Sequence, residues 1–182
     1  YRRKFISSDM GPANALSDDL TMFFYKKNYD KDGVLASKGK INLRILDIFK
    51  RDKFFKKKFP KSLDRNEFDF SDIGNLSVQD AAATLVAFTT EAIVRSLKYF
   101  PEHPKRWLIT GGGRHNSYMM DELSRRLKAT VKPVEDVGWN GDALEAQAFA
   151  FLAVRSLLNL PLSFPATTGV SAELTGGDIY HR

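Results

Sequence analysis

The turn "DMGPAN", residues 9–14, carries the first group that could do chemistry. Its carboxylate, Asp9, follows a strand-like run and could act as a general base towards a water molecule or a substrate hydroxyl. The same aspartate could instead hold the turn by accepting hydrogen bonds from nearby backbone N–H groups, helped by Gly11 and Pro12. The residues of this turn alone leave both interpretations open.

A second candidate is the glycine run in "TGGGRHN", residues 110–116. Glycine lets a ligand approach the backbone closely, and the N–H groups at the start of the following helix favour an anion. The pattern is also a common way to build a tight turn from a strand into a helix. It matches neither the dinucleotide fingerprint nor the Walker phosphate loop, so nucleotide binding stays a hypothesis at this point.

A third candidate, "NGDALEA", places Asp142 and Glu145 in the first turn of a predicted helix. Acidic residues stabilise that end of a helix in any case, because they complement its dipole. The alternative is that Glu145 faces the mouth of the loop and accepts a hydrogen bond from a ligand hydroxyl.

The elements that must position these stretches alternate along the second half of the chain. A strand, a loop and a helix follow one another twice there, which is typical of an α/β protein with a parallel sheet whose ligands lie beyond the carboxyl ends of the strands. With only three predicted strands, we expect partner strands outside these residues. The predicted strands are 3–7, 106–110 and 131–137, and the predicted helices are 14–25, 42–49, one from Ser77 to the "PEHP" stop, 116–128 and 142–158.

Composition excludes several functional classes. The chain has no cysteine, so a disulfide framework and a thiolate metal site are excluded, and its histidines (103, 115 and 181) show no ligand spacing. No apolar run predicts a membrane span or an export signal. The net charge of +6 is concentrated in the basic run 50–65, which could bind nucleic acid. The simpler interpretation is a short amphipathic helix with Phe54, Phe55 and Phe59 turned inward and its lysines solvated.

Six stretches in a fixed order together resemble the C-terminal part of the anhydro-N-acetylmuramic acid kinase family: "DMGPAN", "YDKDG" (29–33), "PKSLDR" (60–65), "TGGGRHN", "DALEAQAFAFLAVR" (142–155) and "NLPLSFPATTGV" (159–170). The resemblance implies a C-terminal portion of an actin-like (ribonuclease-H-like) ATPase fold, with a small, mostly parallel sheet and many helices. It also implies a cytoplasmic enzyme of peptidoglycan recycling. With ATP and Mg²⁺, such an enzyme hydrolyses and phosphorylates 1,6-anhydro-N-acetylmuramic acid to N-acetylmuramic acid 6-phosphate.

The resemblance also assigns roles to single residues. Asp9 corresponds to the base that activates the attacking water. By the same resemblance, the nucleotide-binding residues are Gly111, Gly112, Gly113 and Asn116. The substrate-binding residues are Gly11, Asn14, Asp142 and Glu145.

The sequence departs from the family pattern in two ways, and the departures affect what we expect of its domain organisation and activity. Met10 and Ala13 stand where the family usually has Thr and a second Gly, and the family's N-terminal Gly-Thr-Ser-x-Asp-Gly phosphate loop is not found in these residues. We therefore expect residues 1–182 to form a single C-terminal kinase domain fragment, with a mainly helical insertion at about 14–103. Magnesium would bind mainly through the missing half, and the fragment alone would have little or no activity.

The partners expected from this resemblance are a small-molecule sugar and ATP, whereas a membrane or nucleic acid is not expected. A homodimer is left open. The alternatives are another actin-fold sugar kinase, a non-catalytic binding module that uses the basic face at 50–61, and a purely structural half that supports a partner.

Overall fold

The computed structural model describes residues 5–64, 67, 68 and 70–180. Arg65 of "PKSLDR", His181, and Arg3 and Lys4 of the first predicted strand therefore lie outside the described residues. The chain divides into two compact units. The larger unit comprises Met10–Lys56 and Leu63–Gly141, and the smaller unit comprises Tyr1–Asp9, Lys57–Ser62 and Asp142–Arg182.

Four α-helices build most of the larger unit, and side-chain caps begin three of them. Asn42 Oδ1, Ser77 Oγ and Asn116 Oδ1 accept hydrogen bonds from backbone N–H groups three residues further on, at 3.1, 3.1 and 2.9 Å. Such caps satisfy N–H groups that the helix itself leaves unpaired. The helices confirm the predictions: α1 Ala15–Tyr25, α2 Leu43–Phe49, α3 Val78–Val94 and α4 Ser117–Leu127. α3 ends before the "PEHP" stop, and a 3₁₀ turn, Arg95–Tyr99, follows it.

The sheet of the larger unit has two parallel strands, β1 Arg106–Ile109 and β2 Thr130–Pro133. The predicted continuation of the second strand to residue 137 is wrong: a 3₁₀ turn, Val134–Val137, takes its place. Pro133 explains the early end, because proline has no N–H to extend the ladder. The α/β class with a small parallel sheet and many helices is confirmed.

The prediction of a first strand at 3–7 is wrong for residues 5–7, which are the part of it that the structure describes. Phe5 to Ser7 lie in no strand. The Ser7 N–H donates a single hydrogen bond of 3.1 Å to the Ala166 carbonyl. A strand needs a ladder of such bonds, so one bond leaves this segment as irregular chain.

The hydrophobic core of the larger unit is centred on α3. All ten residues from Ala81 to Thr90 are buried. Phe88 is fully buried and its ring centroid lies 5.1 Å from that of Phe49 and 5.2 Å from that of Phe68. Aromatic pairs at this spacing contribute beyond the apolar area that they bury. α3 is therefore the element on which the rest of the larger unit packs.

The basic run forms a 3₁₀ turn, Lys53–Lys56, where an amphipathic helix was predicted. The Phe54 N–H donates to Asp52 Oδ1 at 2.7 Å, which favours a turn over a continuous helix. The inward position of Phe54 and Phe55 is confirmed, since Phe54 is buried and Phe55 packs against the core. Phe59, in the smaller unit, is half-buried. Of the six lysines of the run, Lys50 is half-buried and Lys61 is buried. The other four are exposed, namely Lys53, Lys56, Lys57 and Lys58.

The described residues of the smaller unit form the helices α5 Leu144–Leu157 and α6 Pro165–Thr168, and an isolated antiparallel bridge between Ser163 and Leu174. α5 confirms the predicted helix at 142–158. All of its residues are described and none is buried. In the part of the chain that the structure describes, no helix combines the length and the apolarity needed to cross a membrane.

Candidate functional site

Residues 10–14 of the "DMGPAN" turn belong to the larger unit and are held against α3. A Cβ at Gly11 would lie 2.6 Å from the Ala92 Cβ, so no larger residue fits there without a shift. The Thr89 hydroxyl donates to the Ala13 carbonyl at 2.8 Å. Ala13 itself has a φ of 50°, in the left-handed region that favours glycine. The turn therefore has little room to move.

Asp9 belongs to the smaller unit, and its side chain is exposed. The backbone around it is fixed by Lys61, whose carbonyl accepts hydrogen bonds from the Asp9 N–H at 3.0 Å and from the Ser8 hydroxyl at 3.2 Å. The Lys61 N–H in turn donates to Ser8 Oγ at 2.9 Å. An exposed carboxylate on an anchored backbone is compatible with a general base, which stays a prediction.

The glycine loop, residues 111–113, needs glycine at its first position, where φ is +71°. The chain then turns tightly: the Arg114 N–H donates to the Gly111 carbonyl at 3.3 Å, and the Asn116 N–H donates to the Gly113 carbonyl at 3.1 Å. Because these two N–H groups serve the turn, an anion at this loop would have to be met by N–H groups of the glycines themselves.

Arg114 fastens the glycine loop to the loop after β2. Its side chain is 3% exposed, and Nη1 donates to the Gly111 carbonyl at 2.9 Å while Nε donates to Glu135 Oε1 at 2.9 Å. The same carboxylate oxygen accepts the Gly141 N–H at 3.1 Å. We call this arrangement the arginine clamp. Sequence reasoning missed Arg114, although a charged residue directly after three glycines at a strand end was a usable signal.

Hydrogen bonding keeps the clamp carboxylate ionised. The pKa of Glu135 lies below its ordinary value, first because of a hydrogen bond from its own backbone N–H and then because of the Gly141 N–H and the Arg114 guanidinium. Desolvation acts in the opposite direction and is outweighed. The clamp therefore remains a charge-assisted pair at neutral pH.

The "YDKDG" loop lies beside the start of α4. Gly33 is buried at a φ of +71°, and a Cβ there would overlap the Asn116 side chain. The Asp30 carboxylate holds the loop by accepting the N–H groups of Leu35 and Ala36, at 2.9 and 3.0 Å. The predicted ligand residue Asn116 is thus buried, and its Oδ1 already caps α4.

A cavity of about 510 Å³ opens within the larger unit between α1, the "YDKDG" loop and the glycine loop. This size is ordinary for a small-molecule site. We call it the α1 cavity. Asn14 lies on its glycine-loop side, because a Cβ added at Gly112 or Gly113 would stand 3.7 or 3.5 Å from the Asn14 amide. The cavity is lined by Asn14, Ser17, Asp18, Tyr29, Asp30, Lys31, Asp32, Gly112, His115 and Asn116.

The structure brings part of the predicted site together. Asn14, Gly112 and Asn116 share the α1 cavity, whereas Gly11, Gly111 and Gly113 belong to the same unit without lining it. The predicted acidic residues lie in the smaller unit and are all exposed, namely Asp9, Asp142 and Glu145. Within residues 5–64, 67, 68 and 70–180, no group of three or more His, Asp or Glu side chains could hold a metal ion.

Comparison with known proteins gives a consistent result. A sequence model of the family "Anhydro-N-acetylmuramic acid kinase" matches residues 2–182. The anhydro-N-acetylmuramic acid kinase of Zymomonas mobilis subsp. mobilis is 48% identical over 176 residues, which are 97% of this chain and 48% of that protein. The proteins of the same name from Rhodospirillum rubrum and Paramagnetospirillum magneticum are 49% and 50% identical, over 94% of this chain in each case and 46% and 49% of their own lengths.

The chain spans about half the length of the curated relatives that it matches. Within that half, the match runs through every stretch that carried the predicted resemblance, from the "DMGPAN" turn to "NLPLSFPATTGV". The chain belongs to the anhydro-N-acetylmuramic acid kinase family.

Proposed function

We propose that this chain supplies the C-terminal part of an ATP-dependent kinase that converts 1,6-anhydro-N-acetylmuramic acid to N-acetylmuramic acid 6-phosphate in peptidoglycan recycling. The observation that carries the proposal is the α1 cavity, which has the glycine loop on one side and a volume suited to a small ligand. In this proposal the cavity takes one of the substrates of such a kinase, the nucleotide or the sugar; family membership supports the pair of substrates and not their place. Because ATP is the phosphoryl donor, the enzyme works in the cytoplasm.

The proposal includes an actin-like fold for the complete protein. It takes residues 1–182 as its C-terminal portion and about 14–103 as a mainly helical insertion, which accounts for α1, α2 and α3. The two-stranded parallel sheet supports this proposal, because strands with open edges call for further strands beside them. The chain taken alone would have little or no kinase activity.

In this proposal Asp9 is the general base. A neutral water is a weak nucleophile, and a carboxylate can take its proton as the oxygen attacks the anomeric carbon. The bond from that carbon to O6 breaks, and O6 bonds to the γ-phosphorus of ATP while ADP leaves. Its exposed side chain and anchored backbone support this role for Asp9. Asp142 and Glu145, exposed at the start of α5, would accept hydrogen bonds from sugar hydroxyl groups.

Magnesium usually accompanies ATP in such reactions. The described residues do not fit a magnesium site, since among them no cluster of three acidic or histidine side chains is present. We therefore assign no step to the ion.

The test uses the complete gene product that contains this chain. Purified protein is incubated with ATP and 1,6-anhydro-N-acetylmuramic acid in water enriched in oxygen-18, and the products are analysed by mass spectrometry. We expect ADP together with a 6-phosphate sugar that carries one oxygen-18, because the hydroxyl added at the anomeric carbon comes from water. Phosphorylation of a different sugar, with none of the anhydro sugar consumed, would assign another kinase reaction.

Replacing the proposed base separates catalysis from binding. Asp9→Asn should reduce turnover by at least about 100-fold, the scale of a general base, and leave ATP affinity within twofold. The matched control is Asp178→Asn, which changes another exposed aspartate of the smaller unit and should keep full turnover. Near-normal turnover in Asp9→Asn would remove the catalytic assignment.

A further inference from the structure

A serine hydroxyl joins the residue before Asp9 to Lys61, within the smaller unit. Ser8 Oγ accepts the Lys61 N–H at 2.9 Å, and its own proton points to the Lys61 carbonyl at 3.2 Å or to the Asp9 carbonyl at 3.3 Å. The Lys61 carbonyl also accepts the Asp9 N–H at 3.0 Å. We call this arrangement the Ser8–Lys61 pair. Its hydroxyl bonds require a side chain at position 8, whereas the bond from Asp9 is made by backbone alone.

The side chains on this segment have opposite surroundings. Lys61 is 8% exposed and Ser8 is half-buried, whereas Asp9 is exposed. Because Lys61 is a buried residue, its backbone N–H needs a partner within the protein, and the Ser8 hydroxyl is that partner. None of the bonds of the Ser8–Lys61 pair uses the Asp9 carboxylate. The pair therefore holds the backbone that carries the carboxylate and leaves the carboxylate itself for other partners.

The chain on both sides of the Ser8–Lys61 pair is supported as well. The Ser7 N–H donates to the carbonyl of Ala166, in α6, at 3.1 Å. Pro60 lies against the turn at Gly169, since a Cβ added there would stand 3.7 Å from the Pro60 ring and from its carbonyl oxygen. Lys61 is thus a fixed point of the smaller unit, and the hydroxyl of Ser8 transfers that fixed position to the residue beside Asp9.

We propose that Ser8 is a positioning residue for the kinase reaction: its hydroxyl holds the backbone of Asp9 where the carboxylate can take the proton of the attacking water. This inference rests on the proposed function, in which Asp9 is the base, and the family resemblance assigned Ser8 no role. A general base works only within hydrogen-bond reach of the proton that it takes, and a displacement of about 1 Å can cost about 100-fold in rate. Supporting hydrogen bonds behind a catalytic group provide that precision.

The first test compares two neighbouring serines in the complete gene product, with ATP and the anhydro sugar as substrates. Ser8→Ala removes the hydroxyl and should lower kcat about tenfold, the scale of one hydrogen bond, while the KM for ATP stays within twofold. Ser7→Ala is the matched control. Ser7 is exposed and bonds Ala166 through its backbone N–H, which alanine keeps, so this variant should retain the kcat of the parent protein.

A double-mutant cycle gives the readout that a merely structural role would not move. A residue that acts through Asp9 has nothing to position once the carboxylate is gone. Ser8→Ala should therefore leave the residual turnover of Asp9→Asn within twofold. A serine that only stabilised the fold would lower turnover by the same factor in both backgrounds. Turnover is normalised to the amount of folded protein, measured by circular dichroism.

Amide hydrogen exchange, followed by mass spectrometry, tests the Ser8–Lys61 pair without requiring turnover. The amides of Asp9 and Lys61 both donate within the pair. Both should exchange about tenfold faster in Ser8→Ala than in the parent protein, because the segment opens more often. Ser7→Ala should leave their exchange rates unchanged.

Three results would overturn the inference without touching the proposed function. They are a kcat of Ser8→Ala within twofold of the parent value, an equal loss in the parent and Asp9→Asn backgrounds, and unchanged exchange at both amides. Failure of the proposed function would appear differently, as a parent protein that forms no phosphosugar from the anhydro sugar. The exchange rates would then still decide whether Ser8 holds the segment before Asp9.

Discussion

α3 and α5 are two apolar helices with opposite surroundings. Both are rich in alanine, valine, leucine and phenylalanine, yet ten consecutive residues of α3 are buried and none of the fourteen residues of α5, all described, is buried. Phe88 of α3 is 0% exposed, whereas Phe149 of α5 is 67% exposed. The difference teaches that composition predicts a helix, but only its neighbours decide whether its apolar side chains leave water.

The largest expected effect contrasts the two phenylalanines. Phe88→Ala should lower the free energy of unfolding by about 4 kcal/mol, because it removes a ring from a closely packed aromatic cluster and leaves a cavity. Phe149→Ala should change it by less than about 0.5 kcal/mol, since that ring is already solvated. Urea denaturation followed by far-ultraviolet circular dichroism measures both. Equal losses in the two variants would break the comparison.

The next effect tests how tightly the start of α3 is enclosed. A Cβ at Gly39 would overlap the backbone carbonyl of Gln79, which cannot move without disturbing the first turn of α3. Gly39→Ala should therefore cost about 3 kcal/mol of unfolding free energy. Gly74→Ala is the control: a Cβ there meets open space, so about 0.5 kcal/mol of stabilisation is expected from the stiffer unfolded chain. A tolerated Gly39→Ala would show that α3 is enclosed more loosely.

A smaller effect comes from the ion pairs at the polar rim of α3. Arg126 of α4 bonds Glu91 of α3 at 3.4 Å and Glu122 at 2.9 Å, and Arg125 bonds Glu122 at 2.6 Å. Burial raises the pKa of Glu122, but the hydrogen bonds from Arg125 and Arg126 outweigh it and the pKa is lowered. Glu122→Gln should therefore lose about 1 kcal/mol at pH 7.

The pH dependence has a definite sign. Because the pKa of Glu122 is lower in the folded state, its contribution is complete above the unfolded-state pKa and is lost as the pH falls through the folded-state value. The difference in stability between the parent protein and Glu122→Gln should thus shrink as the pH falls below the ordinary pKa of a glutamate. Denaturation midpoints at several pH values measure this, with Glu173→Gln, an exposed glutamate of the smaller unit, as the control. A difference that persists at low pH would exclude the ion pairs as its cause.

The smallest expected effect is on stability, and it has opposite signs for an alanine-to-glycine substitution in the "DMGPAN" turn and for one in α5. Ala13→Gly, in the turn that α3 holds through Thr89, should stabilise the protein by about 0.5 kcal/mol, since its φ of 50° favours glycine. Ala146→Gly, at an exposed helical position of α5, should instead cost about 1 kcal/mol. Thermal denaturation resolves both. The same sign for both substitutions would contradict the left-handed conformation of Ala13.

The helices could be predicted from the sequence because their signals are local. Asn42, Ser77 and Asn116 begin α2, α3 and α4 as cap residues, and each cap depends only on the next few residues. The strands were harder. Residues 5–7 resemble a strand in composition but have no ladder partner. β2 ends at Pro133, although the predicted strand continued to Val137. A strand forms only when another segment, often far away in the sequence, pairs with it, and local sequence patterns do not specify that partner.

The candidate site was predictable in part for the same reason. The glycine loop and the "DMGPAN" turn were found as short motifs, but the contact of Asn14 with Gly112 joins residues nearly one hundred positions apart in the sequence. The partners of Arg114 and the orphaned hydroxyl of Ser17 are properties of packing. A serine between Leu16 and Asp18 in a helix gives no sign, before folding, that its oxygen will lack a partner among the described residues.

The arginine clamp has a consequence for the speed of binding. Three successive glycines would ordinarily sample many backbone conformations, and a ligand that had to select one of them would bind slowly and lose affinity to conformational entropy. Arg114 and Glu135 restrict that sampling when the larger unit folds. The loop meets its ligand already shaped, so association should proceed in one kinetic phase whose rate rises linearly with ligand concentration.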